Sequence, residues 1–251
     1  MSSGPALQGR YERYALIFDP SQAPRLGAEA LGLVERGIDP LYAGDVDEVH
    51  LLALQETGRV GSLVVPGTLP LATLDGLIDR IAPQLWAGVR SIVVVGPPED
   101  RGALRALRDR GISWILREPY DASEFRFVVA AALATEDKLD PRTGLRVPLT
   151  IPVSVQHESA TDHGHVRNLA IGGAYVALAA PPAPGTAIRV TFPVGERHLE
   201  SDACVVYTQR PDVASRAVRE PGMGMAFRGL AEAERTALAT FIVERTNSFR
   251  L

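Results

Sequence analysis

The sequence predicts an α/β domain followed by an all-β domain. Two observations support this prediction. Strand and helix patterns alternate five times between residues 13 and 135, and short strands separated by turns replace them from residue 149. A polar connector at 136–141 separates the two patterns, and residues 1–12 have the composition of a disordered lead-in. The expected domains are therefore 13–135 and 142–251.

The first domain contains five apolar runs of the length of a buried strand, at residues 14–18, 41–43, 62–65, 91–95 and 112–116. Helical spacing of apolar residues follows each run, and Asp45 with Glu48 and Asp121 with Glu124 have the spacing of a capping box. Strands that are apolar on both faces are typical of a parallel sheet covered by helices on both sides. The sequence therefore predicts a flavodoxin-like, doubly wound domain.

The second domain contains six short strands, predicted at residues 149–157, 165–171, 174–179, 186–193, 199–208 and 222–229. Residues 210–221 are polar and are predicted to form a loop. Residues 231–247 have the pattern of a helix that buries Leu238, Phe241 and Ile242. Six alternating strands of this length predict a small antiparallel β-barrel with a terminal helix.

Two short motifs lie at the start of the second domain. The first is Arg-x-x-x-Arg, formed by Arg142 and Arg146, and the second is the Asn-Leu-Ala-Ile-Gly-Gly segment 168–173. Together they resemble the two ligand-binding signatures of the PilZ domain, the family that binds the bacterial second messenger cyclic di-GMP. The family's second signature has a serine where this chain has Ala170. The resemblance covers about residues 138–251, including a glycine-rich strand at 222–227 and the terminal helix, and it implies the same barrel.

The resemblance implies that the two motifs form a cyclic di-GMP site. The predicted ligand-binding residues are Arg142, Arg146, Asn168, Ala170, Gly172 and Gly173. Arginine forks can bind guanine O6 and N7, stack on a base or hold a phosphate, and an asparagine amide can both donate to and accept from a guanine edge. Two glycines allow a tight turn and a close approach of the backbone to the ligand. In the alternative interpretation, the arginines are solvated linker residues and the glycines only form a turn.

The first domain also resembles the receiver domain of response regulators, particularly at residues 117–119, Arg-Glu-Pro, after the fifth strand. The residues needed for phosphotransfer are missing. Only Asp19 stands where receivers have an acidic pair, Pro66 and Gly67 stand at the phosphoacceptor position, and Gly96 and Glu118 replace the hydroxyl residue and the lysine. Because no acceptor carboxylate is present, we expect a pseudo-receiver without phosphotransfer, no enzymatic activity and no catalytic residues.

Composition excludes several classes of function. The net charge is −4, and neither half has the strong basic patch of a nucleic-acid binder. No apolar run is long enough for a membrane span, the N-terminus does not resemble a signal peptide, and a cytoplasmic location is expected. The single cysteine, Cys204, excludes an internal disulfide. His157, His163 and His165 beside Asp162 could bind a metal, but we interpret them as polar residues of a hairpin loop and expect neither a metal nor a cofactor.

Taken together, these features predict a non-enzymatic bacterial signalling adaptor that binds cyclic di-GMP and relays it to an unknown protein partner. The alternative is a degenerate PilZ protein that has lost ligand binding and acts as a protein-interaction scaffold. A phosphorylation-dependent regulator is a weaker third hypothesis. A homodimer through residues 98–134 is also expected, because Arg101, Arg105 and Arg108 lie near Glu118 and Glu124 in a face that could pair with itself. Roles in motility are an expectation from the family resemblance.

Overall fold

The computed structural model describes residues 13–21, 24–34, 37–85, 87–97, 99–134, 144–209 and 220–251. The predicted lead-in at 1–12, the connector at 136–141 and Arg142 lie outside these ranges. The chain divides into two compact units, residues 1–135 together with 249–251, and residues 136–248. Residues 249–251 are thus grouped with the first unit, and the domain bounds 13–135 and 142–251 remain a prediction. None of the helices in the described ranges is long and apolar enough to cross a membrane.

The first unit contains a five-stranded parallel sheet, as the sequence predicts, and its strand order is β2-β1-β3-β4-β5. Its strands are β1 (Arg13–Phe18), β2 (Ile38–Ala43), β3 (Val60–Pro66), β4 (Ile92–Val95) and β5 (Trp114–Leu116). Its helices are α1 (Pro24–Leu31), α2 (Val46–Gln55), α3 (Leu71–Ile81), α4 (Arg101–Asp109) and α5 (Ala122–Leu133). The three inner strands are buried on both faces, which explains their continuous apolar runs.

Two predicted capping interactions position the helices of this unit. Asp45 accepts a hydrogen bond from the Glu48 backbone N–H at 2.8 Å, and the Glu48 side chain accepts one from Gly44. Asp121 and Glu124 form the reciprocal capping box at the start of α5. Each cap satisfies backbone donors that the first turn of a helix leaves without partners.

The second unit forms a closed antiparallel barrel in the order β10-β11-β8-β7-β6-β9, which confirms the predicted architecture. Its strands are β6 (Val147–His157), β7 (Ala160–Ala170), β8 (Gly173–Ala177), β9 (Ala187–Val194), β10 (Arg197–Gln209) and β11 (Gly222–Arg228). The barrel interior is apolar, and its fully buried side chains include Val155, Val166, Val190 and Phe192. Helix α6 (Glu232–Asn247) buries Leu238 and Ile242, as predicted, and Thr246 as well, whereas Phe241, which was also predicted to be buried, is half-buried.

Strand β7 is longer than the sequence predicted. It begins at Ala160, because β6 and β7 are joined by a tight turn at residues 158–159, in which Glu158 has a positive φ of 52°. The predicted loop between the two strands is therefore too long, and its residues 160–164 belong to β7. His157 ends β6, and His163 and His165 lie in β7. The sequence did not indicate the first part of β7, because its residues are mostly polar and the outward positions of a surface strand need not be apolar.

Candidate functional site

The two predicted motifs meet where β6 begins and β7 ends. Pro148 of β6 lies opposite Asn168 of β7, and this register brings Arg146, just before β6, beside Asn168. The Arg146 Nη1 atom donates a hydrogen bond to the Asn168 Oδ1 atom at 3.3 Å, at an exposed position. The structure therefore places one residue from each motif in contact at the surface, although 22 positions separate them in sequence.

The turn after β7 gives its two glycines different roles. Ala170 pairs with Gly173, so Ile171 and Gly172 alone connect β7 to β8. Among the residues that the structure describes, a Cβ atom at Gly172 would have no heavy atom within 4 Å apart from its chain neighbours, whereas one at Gly173 would lie 2.0 Å from the Met225 carbonyl oxygen. Gly173 is therefore required by the close approach of β11. Gly172 leaves open space that a ligand could use.

Ala170, at the position of the family's serine, is 3% exposed. Its neighbour Leu169 is fully buried in the barrel interior. A serine hydroxyl at Ala170 would need a hydrogen-bond partner, because an unpaired buried polar group costs free energy. A ligand could supply this partner only if the turn opened enough to uncover the side chain.

Arg142 lies outside the described residues, and the described chain resumes at Gly144. Gly144 has a φ of 90°, which L residues rarely adopt, and a Cβ atom there would meet no atom of the described residues within 4 Å. This residue turns the chain into β6 and so sets the direction of Arg146. The sequence reasoning missed Gly144, although a glycine inside the Arg-x-x-x-Arg motif is a signal for such a turn.

Two arginines that the sequence reasoning did not single out also contact the site. Arg245 of α6 donates from Nε to the Pro148 carbonyl oxygen at 2.9 Å. Arg167, next to Asn168, binds the Glu220 carboxylate with Nε and Nη2 at 2.6 and 2.8 Å and donates from Nη1 to Thr150 at 2.8 Å. Because 97 residues separate Arg245 from Pro148, no local sequence pattern could have revealed that contact.

An aromatic surface lies next to Asn168. Tyr175 of β8 lies opposite Asn168, its hydroxyl donates to the Glu220 carbonyl oxygen at 2.7 Å, and its ring stacks with that of Tyr207 at 6.4 Å between centroids. Cβ atoms at Gly222 and Gly224 would lie 2.7 Å from the Tyr175 hydroxyl and 2.1 Å from the Tyr207 ring. The glycine-rich strand β11 therefore leaves room for two tyrosines on the outer face of the barrel.

In the first unit, the carboxyl ends of β3 and β4 are in backbone contact. Gly67 donates its N–H to the Val95 carbonyl oxygen at 2.7 Å, and a Cβ atom at Gly67 would lie 2.1 Å from the Gly96 carbonyl oxygen. No side chain fits between these loops without a shift of the backbone. Gly67 therefore has no room for a side chain, and neither Pro66 nor Gly67, where the receiver resemblance places the phosphoacceptor, is a carboxylate.

Asp19, the remaining acidic residue of the receiver pattern, is 2% exposed. Its Oδ1 atom accepts hydrogen bonds from the Ser21 hydroxyl and backbone N–H at 2.7 and 3.2 Å. Burial raises the pKa of Tyr42 on the neighbouring strand to about 12, and the negative charges of Asp19 and Glu29 add to this increase. Asp19 thus acts on the ionisation of Tyr42 and is held by the turn that follows β1.

The histidines of the β6–β7 hairpin are bonded to separate partners. His157 Nε2 lies 3.0 Å from Asp162 Oδ2, and His163 Nδ1 lies 3.2 Å from the Ser154 hydroxyl. Among the residues that the structure describes, no group of three or more histidine, cysteine or carboxylate side chains is arranged to hold a metal ion.

The model of the PilZ domain family matches residues 140–244. The barrel is a PilZ domain. The match begins before the Arg-x-x-x-Arg motif and ends within α6, so it includes both motifs. No curated protein matches the chain.

Several solved structures are similar to parts of the chain. The inhibitor of motility MotI/DgrA from Bacillus subtilis is 20% identical over 43% of this chain and 52% of its own, with a TM-score of 0.38. The chain thus spans about half the length of that protein. The PilZ domain of YcgR from Escherichia coli, solved with c-di-GMP, is 12% identical over 42% of this chain and 91% of its own, with a TM-score of 0.36. The receiver domain of the hybrid histidine kinase CckA is 20% identical over 48% of this chain and 99% of its own, with a TM-score of 0.37.

Proposed function

We propose that the PilZ domain binds cyclic di-GMP and that the chain is a non-enzymatic signalling adaptor, which passes the binding event to a protein partner. The predicted contacts are Arg142, Arg146, Asn168, Ala170, Gly172 and Gly173. The observation that carries the proposal is the contact between Arg146 and Asn168, because it joins the two halves of the family's ligand signature at one surface.

The chemistry around this contact fits a cyclic dinucleotide. The Arg146 guanidinium is exposed and can turn from Asn168 towards a phosphate or a guanine edge. Asn168 is then free to hydrogen-bond the base, and Tyr175, opposite Asn168, offers an aromatic ring of the kind on which bases stack. The open space at Gly172 allows the ligand to approach the backbone of the turn.

Titration calorimetry with cyclic di-GMP tests this proposal on the full chain. We expect Arg142→Ala and Arg146→Ala to abolish detectable binding, since each removes charged contacts worth about 1.5–3 kcal/mol apiece. Arg197→Ala is the matched control, because Arg197 is an exposed arginine on the β9–β10 hairpin of the same barrel. The proposal is wrong if wild-type protein gives no heat, or if the control loses as much affinity as Arg146→Ala.

The departure at Ala170 is tested by restoring the hydroxyl. We expect Ala170→Ser to tighten binding by about tenfold if the hydroxyl reaches a phosphate. A larger gain is not expected, because the position is 3% exposed without ligand and the turn has to open first. If neither wild type nor Ala170→Ser binds, the buried alanine favours the alternative function, a PilZ scaffold that has lost its ligand.

A further inference from the structure

The edge strand of the first unit is paired with residues 249–251, which we call the clasp. The Ile115 N–H donates to the Phe249 carbonyl oxygen at 2.9 Å, and the Leu251 N–H donates to the Ser113 carbonyl oxygen at 3.1 Å. Arg250 lies opposite Trp114 in an antiparallel bridge. Because β5 is only three residues long, these bonds occupy most of the edge that the parallel sheet leaves open.

Side chains hold the clasp in addition to the backbone bonds. Phe249 is 4% exposed, and its ring lies 5.4 Å from that of Phe127 on α5. The Arg250 guanidinium lies 4.7 Å above the ring of Trp114, a cation–π geometry. Leu251 packs against the core of the sheet. The clasp therefore covers part of the face through which the homodimer was predicted, and that dimer remains a prediction.

One arginine connects the candidate ligand site with the residue before the clasp. Arg245 donates from Nε to the Pro148 carbonyl oxygen at 2.9 Å and from Nη1 to the Ser248 hydroxyl at 3.2 Å, and that hydroxyl donates to the Arg245 carbonyl oxygen at 2.7 Å. Pro148 is paired with Asn168 in the barrel. Arg245 therefore bonds both the strand position opposite the site and the last residue before Phe249.

We propose that the clasp is detachable and that Arg245 couples its attachment to the state of the Arg146–Asn168 contact. To bind, cyclic di-GMP has to break the hydrogen bond between Arg146 and Asn168. This shifts the start of β6 and weakens the hydrogen bond from Arg245 to the Pro148 carbonyl oxygen. The clasp then detaches and uncovers the backbone edge of β5 together with Trp114. The ligand step rests on the proposed function, whereas the attachment of the clasp through Arg245 does not.

The ligand-independent arm of the test uses amide hydrogen exchange of the full chain at Ile115 and Leu251, the two N–H groups that join the clasp to the sheet. We expect Arg245→Ala and Ser248→Ala to speed exchange at both amides, by about tenfold for Arg245→Ala. Arg235→Ala is the control, because it removes the same charge from an exposed position on α6 whose ion pair with Glu232 is 4.0 Å long. Unchanged exchange in both Arg245→Ala and Ser248→Ala overturns the role of Arg245.

The ligand arm uses the reciprocity of coupled equilibria. Cyclic di-GMP should speed exchange at Ile115, and deletion of residues 249–251 should tighten its binding, as long as the intact clasp opposes the bound state. If calorimetry shows binding while exchange at Ile115 and the affinity of the deletion variant stay unchanged, the coupling is refuted and the proposed function stands. If calorimetry shows no binding, the proposed function and the ligand step fail together, and the ligand-independent arm still decides whether Arg245 holds the clasp.

Discussion

The adjacent glycines of the β7–β8 turn allow the structural role of the second motif to be separated from its proposed role in ligand binding. Alanine at Gly173 would place a Cβ atom 2.0 Å from the Met225 carbonyl oxygen and 3.1 Å from the Ala226 Cα atom, both in the backbone of β11. Alanine at Gly172 would meet no atom of the described part of the chain within 4 Å, apart from its own chain neighbours. The same change at neighbouring positions therefore differs in one respect, the packing of β11 against the turn.

The expected magnitudes differ accordingly. Overpacking typically costs about 1–3 kcal/mol, and the contact at Gly173 is with backbone that cannot turn aside, so we expect about 3 kcal/mol for Gly173→Ala. Because 1.4 kcal/mol is a factor of ten, local opening of the barrel should become roughly a hundredfold more frequent. Gly172→Ala should be neutral or stabilise the fold by less than about 1 kcal/mol, since alanine restricts the unfolded chain more than glycine does.

Amide hydrogen exchange across β7, β8 and β11 in the full chain measures both effects, and calorimetry with cyclic di-GMP then separates stability from binding. We expect Gly173→Ala to lose protection in all three strands. Gly172→Ala should keep its protection and lose affinity, because its methyl group occupies the open space that we assign to the ligand. Equal protection in the two variants would refute the packing argument. Undiminished affinity in Gly172→Ala would remove this glycine from the proposed site.

Three further predictions concern the first unit. Because the pKa of Tyr42 is raised, the folded protein favours its neutral form. The resulting contribution to stability is complete below about pH 10 and is lost as the pH rises towards 12. In urea unfolding, the free energy of unfolding should therefore fall less steeply with alkaline pH for Tyr42→Phe than for wild type. The hydrogen bonds from Arg110 lower the pKa of Asp75. The stability that Asp75 contributes is therefore present at neutral pH and is lost as the pH falls into the acid range. In Asp75→Asn, the free energy of unfolding should fall less steeply with acid pH. Acetyl phosphate with magnesium should leave the intact mass unchanged, because Pro66 and Gly67 supply no carboxylate at the end of β3. A beryllofluoride adduct located near β3 would contradict this.

The sequence alone determined the architecture of both units, because each pattern reflects a burial that the strand or helix cannot avoid. Apolar runs such as 91–95 are buried on both faces of a parallel sheet, and the alternation in β9 follows the two faces of a barrel wall. Capping residues such as Asp121 act on backbone groups two and three positions away, so local sequence is sufficient to predict them. The two motifs of the proposed ligand site are likewise short spacings along the chain, so local sequence was sufficient to notice them.

Tertiary structure decided what depends on residues far apart in the chain. Only the barrel register brings Arg146 to Asn168, and only the path of β11 makes Gly173 indispensable while Gly172 stays open. Strand β7 was predicted too short, because its polar residues face outward and leave no apolar alternation. The pairing of residues 249–251 with β5 could not be predicted from the sequence. Backbone hydrogen bonds leave no pattern of residue types along the chain, and the bonded residues lie more than 130 positions apart.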